Sequence, residues 1–331
     1  MSQSSFFLAI GLLRRYLQMY WLKPFDAVND AANAWSLRQF SWEEPILEIG
    51  GGDGVFSFIM HGGEFILTDD RYDQSNIDRP GDIFDVYHHK SCLTIKRSAL
   101  RSYRASIDLK WSHLLKCRET KLYRSLLLAP PAPLPFAAAS FKTVFLYFPH
   151  GLVERGEALD YEHVLKEIRR IIRPDGALLM TAVNRKISSH FVCYPLYQFF
   201  SKQGWQQFAG YFKRLDAGRY EEISKLGRSL EEWAKLLQDA GFNLVDRWVQ
   251  VKPVAWRVYD FQTRPLLRPL IRFNRFLKRI HLKRVAKTAW VYMWLPWLTL
   301  FYLFFAKPKS PSGRSAEVEG VFFVFRAIPV R

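Results

Sequence analysis

The chain has 331 residues, with 48 Lys+Arg against 31 Asp+Glu and a formal net charge of +17. Apolar residues make up 49% and aromatics 16%, which excludes a disordered or fibrous protein and suits one large α/β domain with additions or two small domains. Cys92, Cys117 and Cys193 lie far apart with no C-x-x-C spacing, so a disulfide scaffold is not expected, no metal site is expected, and a reducing compartment fits.

An excess of positive charge permits a polyanionic partner, either nucleic acid or an anionic membrane face, and its placement discriminates them. The opening apolar run 5–13 has arginines after it and none before it, so it is a poor secretory signal.

In chain order, residues 1–45 mix apolar, aromatic and basic side chains and predict helix. Ile46-Leu47-Glu48-Ile49 predicts a buried strand running into a glycine turn. Residues 55–104 show no clean period and predict an irregular insertion with short elements. Ser106-Ile107 ends a strand, 109–119 predicts a helix, and Leu126-Leu127-Leu128 a strand before the Pro-rich loop 130–135. Thr143 to Phe148 predicts another buried strand. Residues 161–173 carry Val164, Leu165, Ile168, Ile171 and Ile172 at helical spacing. The Arg173-Pro174-Asp175-Gly176 stretch stops that helix, and Ala177 to Ala182 is the next strand. Ser229 caps a helix ending at Ala240-Gly241, and 242–251 and 320–328 predict the last two strands. This alternation predicts a mostly parallel, doubly wound α/β sheet.

The most informative segment is Glu48-Ile49-Gly50-Gly51-Gly52-Asp53-Gly54. Its glycines permit a tight turn and close backbone approach to a ligand, and a helix N-terminus follows. The dinucleotide fingerprint fails because position 55 is Val. The acid before the first glycine suits a cationic ligand better than a pyrophosphate.

The segments ILEIGGGDG (46–54), SIDLKWSHLLKC (106–117), LPF (134–136), SFKTVFLYF (140–148), HVLKEIRRIIRPDGALLMT (163–181) and SLEEWAKLLQDAGF (229–242) occur in one order. As an ordered set they resemble the class I S-adenosylmethionine-dependent methyltransferases, specifically the type-11 methyltransferase domain. The resemblance covers about 46–251, with the final strand near 320–328. It implies a Rossmann-like seven-stranded sheet, a methyltransferase activity and S-adenosyl-L-methionine as cofactor. It also implies that Glu48 sits near the methionine end, with Gly50, Gly51, Gly52 and Gly54 against the sugar and methionine backbone. The ribose acid would be Asp108, with Asp69 or Asp70 as the competing choice, and the adenine would be held by the Ala132 amide or by packing of Leu134. The family's Asp-Ala pair before Leu-Pro-Phe is replaced by Pro130-Pro131, and its later acids by Ala138 and Lys142. His150, after the strand, falls where the resemblance puts the acceptor, as a candidate general base. Tyr147 is nearby with strand packing as its ordinary role, and His88-His89 form a loop pair without partners.

Residues 256–287 carry ten Lys/Arg and the single acid Asp260, a local charge of +9, interleaved with apolar residues at helical spacing. Thr288 to Ala306 then runs uncharged and rich in Trp, Tyr and Phe. That stretch is just long enough to cross about 30 Å of hydrocarbon. A simple span is not expected, because strands 242–251 and 320–328 must join one sheet. Pro296 and the aromatic density predict a bent re-entrant hairpin or an interfacial helix, with the polybasic stretch on anionic head groups. Nucleic acid is not an expected partner.

The expected organisation is thus a helical segment 1–45, a cofactor domain 46–252 with the insertion 55–104, a membrane-associating helical insertion 253–318 and a last strand 319–331. The expected function is methyl transfer to a hydrophobic, membrane-resident acceptor such as a quinone, isoprenoid or lipid. The expected location is cytoplasmic, peripheral or monotopic on the cytoplasmic membrane face through 256–306. The alternatives are a weak or inactive membrane-bound protein that retains the fold, and a soluble small-molecule methyltransferase with a helical lid.

Overall fold

The computed structural model describes residues 3–78, 83–89, 92–147, 160–213, 226–263, 267–306 and 320–330. Strand β1 (Ile46–Ile49) has all four side chains buried, as expected of a parallel strand covered on both faces. Around it stand β4 (Tyr103–Asp108), β5 (Tyr123–Leu128), β6 (Phe141–Leu146), β7 (Ile172–Val183), β8 (Phe242–Gln250) and β9 (Phe322–Pro329). A separate two-stranded ribbon pairs β2 (Glu64–Phe65) with β3 (Ile95–Arg97). The main sheet runs β5-β4-β1-β6-β7-β9-β8, parallel except that β9 lies antiparallel between β7 and β8. This mostly parallel sheet, with its antiparallel strand one place in from the edge, is the class I methyltransferase fold that the ordered segments imply.

Ten named helices are used below. Two N-terminal ones, α1 (Gln3–Met19) and α2 (Pro24–Leu37), cover one face; Pro24 at the first turn and Asp26 beside it suit a helix start. The short α3 (Val55–Met60) follows the glycine turn, and α4 (Trp111–Thr120) follows β4. Helix α5 (Tyr161–Ile171) begins where Asp160 caps the His163 amide. Next come α6 (Cys193–Lys202) and α7 (Leu230–Asp239), the latter opened by a capping box between Ser229 and Glu232. The insertion between β8 and β9 is built of α8 (Pro253–Thr263), α9 (Leu267–Arg279) and α10 (Lys283–Phe301).

Sequence expectation and structure part company in that insertion. The basic stretch 256–287 is divided among three helices, where one amphipathic pattern was expected. The apolar stretch is one continuous helical run, with α10 passing through Pro296 into a π-helical turn at Tyr302–Ala306. It is therefore no re-entrant hairpin. Its side packs on the N-terminal helices, with the Phe25 ring edge-on to Trp294 and Phe301 at 6.3 and 4.9 Å. Those contacts hold the helix to the protein body through neighbouring aromatic rings, which suffices without a proline-directed reversal.

Between β2 and β3 the chain carries a 3-10 turn at Arg71–Gln74. This insertion is tied to α10. Lys283 Nζ lies 2.7 Å from Asp73 and 3.1 Å from Asp70, and Lys287 Nζ donates to the Asp69 carbonyl at 2.6 Å. Lys287 is fully buried, and that burial pushes its ammonium down to about 8.

Candidate cofactor cleft

In a doubly wound sheet, ligands bind beyond the carboxyl ends of the strands where the strand order reverses. Here that point lies between β1 and β6. The glycine turn leaves the end of β1, and Gly50, Gly52 and Gly54 all have positive φ, at 77, 58 and 73°. A Cβ at Gly52 would meet nothing within 4 Å, so this residue borders open space. A Cβ at Gly54 would press on Cys117 Sγ at 3.0 Å and on Tyr123, which makes glycine necessary there for packing.

Asp108 ends β4 beside the turn and is buried. Its oxygens accept from the Gly52 amide at 3.2 Å and the Lys110 amide at 2.8 Å, with His113 Nδ1 3.3 Å away. A carboxylate has about four acceptor positions, so two amides leave capacity for a hydroxyl donor. Asp53 pairs with Arg71 at 3.1 Å, and that guanidinium stacks on the Tyr20 and Phe84 rings. Burial opposes ionisation of Asp53, yet Arg71 holds its carboxyl below the usual range.

Glu48 is positioned differently from the expectation that it meets the cofactor. It points beneath α3, accepting from Ser57 Oγ at 2.7 Å and the Tyr123 hydroxyl at 2.6 Å. Burial pushes its carboxyl up to about 7. It ties α3 and β5 to the turn from below. Gly51 stands over it, where a Cβ would touch Glu48 and Ser106.

Two other expected contacts are not brought to the turn. Leu134 is held by α5, its amide donating to Glu167 and its carbonyl accepting from Arg170. Arg170 stands just before Ile172, which pairs with Phe141 at the starts of β7 and β6. Leu134 therefore lies at the amino edge of the sheet, opposite the glycine turn, because the chain must cross that edge to begin a parallel strand. Asp70 accepts from the Trp21 indole and the Tyr72 amide and faces Lys283, in the cluster that locks α10. His150 lies outside the described residues. His88 is joined to Gln74 through its backbone. Among the described residues, no group of His, Cys, Asp and Glu is arranged to hold a metal ion.

The structure adds a pair that sequence reasoning missed. Asp30 on α2 accepts from the Tyr147 hydroxyl at 3.4 Å, and Tyr147 follows β6 immediately, with its amide on the Ile49 carbonyl. Tyr20 also hydrogen-bonds this carboxylate, and Asp26, Asp53 and Arg71 stand around it. Burial pushes Asp30 up to about 7. Asp30, Tyr147, Gly52 and Asp53 all retain partial exposure at this edge. The only sequence signal was Tyr147 at a strand's carboxyl end; Asp30 lies in a helix with nothing to mark it.

No family model matches the chain, and no curated protein matches it. Similar backbones occur among solved structures. One is a SAM-dependent methyltransferase, described as a possible histamine N-methyltransferase, from Thermotoga maritima, at 14% identity over 98% of this chain and 99% of that one, with a TM-score of 0.48. A second is a SAM-dependent methyltransferase from Aquifex aeolicus, at 14% identity over 66% and 81% and a TM-score of 0.34. A third is the cyclase SpnF, at 14% identity over 86% and 75% and a TM-score of 0.41. A fold hosts more than one chemistry, so the case for function rests on this chain's own residues.

Proposed function

We propose that the protein transfers a methyl group from S-adenosylmethionine to a protonated atom of a hydrophobic acceptor held at a membrane surface. What carries this reading is one arrangement. The glycine turn with Asp108, the Asp30–Tyr147 pair and the aromatic helices α8–α10 all stand at the carboxyl edge of one sheet, since β8 delivers the insertion there.

S-adenosylmethionine supplies an electrophilic methyl group. Gly52, open on its outer side, and Asp108, with acceptor capacity beyond the two amides, are the residues that would hold its sugar. Asp53 and Arg71 border the same opening. Transfer to a neutral hydroxyl or protonated nitrogen requires somewhere for the proton to go. Asp30 receives it, oriented by Tyr147 and Tyr20, in a setting where positioning supplies most of the rate.

Membrane attachment is supported by the outer faces of α9 and α10. On α9, Ile271, Asn274 and Leu277 are buried, while Phe273, Phe276 and Ile280 are exposed beside Arg268, Arg272 and Arg279. On α10 and its π turn, Tyr292, Met293, Trp297, Leu300 and Phe304 are exposed by 49 to 68%. Among the described residues, one helical run, 283–306, is long and apolar enough to cross a membrane, by length and composition. However, one side of it packs on α1 and α2, and β9 returns to the same sheet, so an in-plane helix fits better.

Calorimetric titration with S-adenosylmethionine tests the first half. Wild type should bind, and Asp108→Ala should weaken binding at least about tenfold, the size expected of a charge-assisted hydrogen bond. Absence of heat from wild type would overturn it. For the second half, the protein should sediment with anionic vesicles and not with neutral ones. Replacing Arg268, Arg272 and Arg279 by Gln should weaken this about a hundredfold, at about 1 kcal/mol per charge. No sedimentation by wild type would overturn that half.

A second reading, a weak or inactive membrane-bound protein, is favoured by the complete burial of Asp108 and by the Arg71–Asp53 pair across the opening. Incorporation of labelled methyl into a total lipid extract separates the two.

A further inference from the structure

Helix α6 ends in a turn at Gly204 that throws Trp205 back against the helix, the Trp205 amide donating to the Phe200 carbonyl at 3.0 Å. The chain is helical again over 206–213. The result is an aromatic knuckle. The Phe200 ring stacks with Trp205, Phe208 and Phe212 at 5.7, 5.6 and 5.4 Å. Inward contact is left to small side chains such as Cys193 and Ala209, both buried. The large rings point the other way: Phe199, Trp205, Phe208 and Tyr211 are exposed by 45 to 57%. Ring contacts through Phe200 and Phe212 gather these four exposed aromatics, all within thirteen residues, into one apolar cluster of the kind that marks an interaction surface.

Charge argues for what covers it. Between Gly176 and Lys213 there is no Asp or Glu, and the knuckle carries Lys202 and Lys213. Exposed Tyr and Trp on an apolar patch, with Lys202 and Lys213 as the charges within 193–213, is a composition that suits a membrane interface.

Position argues for it as well. The knuckle leaves the carboxyl end of β7, and the α8–α10 insertion leaves the carboxyl end of β8, so both emerge from one sheet edge. Helix α8 joins them. At one end the Val192 amide donates to Asp260 at 2.9 Å, and Phe191 lies 6.5 Å from Trp256. At the other, the Lys252 amide donates to the Phe305 carbonyl at 2.9 Å. Between them α8 exposes Val254, Val258 and Phe261.

We infer that the 193–213 knuckle is a second membrane-insertion element, which sits in an anionic lipid surface together with α8 and the outer face of α10. This rests on the membrane reading of α9 and α10. It makes the attachment two-point, so the sheet's carboxyl edge faces the lipid between two aromatic supports.

The test uses the full chain and vesicles of phosphatidylcholine with phosphatidylglycerol. Hydrogen exchange read by mass spectrometry should show 193–213 protected on vesicle addition, along with the α9–α10 peptides. The triple substitution Phe199→Ser, Trp205→Ser, Phe208→Ser should weaken vesicle partition about tenfold. These side chains are exposed, so the melting temperature should stay within about 2 °C of wild type. Protection confined to α9–α10 with unchanged partition would overturn the knuckle while leaving the membrane reading intact. A wild type that binds no vesicles would overturn both. A knuckle that buries itself in a second copy would appear as a dimer dissolved by the triple substitution, and would also overturn the inference.

Discussion

The Tyr147 hydroxyl donates to Asp30 Oδ1 at 3.4 Å, joining the residue after β6 to the middle of α2 across the reversal point of the sheet. Burial keeps this carboxyl near 7, the range in which a group both takes and releases protons under ordinary conditions. Methyl transfer by wild type should therefore rise with pH through about 7 and level off. In Asp30→Asn it should fall about 10²- to 10⁴-fold and lose that inflection. A pH profile unchanged by the substitution would remove Asp30 from the reaction.

The same group has a signature in stability. Its folded value lies above its unfolded one, so stability is lost as pH rises from about 4 through 7 and no further above that. Asp30→Asn should be more stable than wild type by about 2 kcal/mol at pH 8, with the gap closing toward pH 4.5. Urea denaturation at the two pH values measures it.

Glu48 offers a companion case. Its carboxyl is raised to about 7 by burial, against the hydrogen bonds of Ser57 and Tyr123. Tyr123→Phe removes one donor. The loss should be about 2 kcal/mol at pH 8, where the charged form needs that donor, and nearer 1 at pH 5.5, where the neutral acid predominates. Equal losses at both would mean that Glu48 does not ionise in the fold.

Asp108 and Asp70 make opposite predictions. Asp108→Asn should lower S-adenosylmethionine affinity about tenfold or more, since the amide side chain offers a single acceptor oxygen. Asp70→Asn should leave that affinity within about twofold and instead cost about 3 kcal/mol of stability, because it leaves Lys283 and the buried Lys287 with a neutral neighbour. Calorimetry and thermal melting on both variants decide it. The reverse pattern would make Asp70 the ribose acid.

The central strands were legible in the sequence because β1, β6 and the second half of β7 are short apolar runs bounded by glycine, proline or helical patterns, and β1 with its turn needs no distant information. The capping box at Ser229 and Glu232 was legible for the same reason: its partners are three residues apart. Asp30 was hidden because its meaning comes from Tyr147, more than a hundred residues away. Leu134 was misplaced because a resemblance fixes the order of segments but not which edge of the sheet a loop reaches. Of the two forms expected for 288–306, a re-entrant hairpin or an interfacial helix, the chain builds a continuous helix through Pro296, held along one side by Phe25 and the N-terminal helices. Lys283 and Lys287 read as part of the polybasic stretch expected on anionic head groups, yet the acids Asp70 and Asp73 and the Asp69 carbonyl of the irregular insertion draw them inward.

One hydrogen bond fixes the mechanics of the helical insertion. The Val321 amide donates to the Val251 carbonyl at 3.0 Å, so the chain leaves β8 and re-enters β9 at adjacent points. The insertion thus departs from and returns to one spot on the rim of the sheet. The two described ends of the insertion are also joined to each other, the Lys252 amide before α8 donating to the Phe305 carbonyl after α10 at 2.9 Å. On the proposed membrane reading, a bilayer that receives α10 would then meet the protein beside the cofactor opening, since both stand on that same rim.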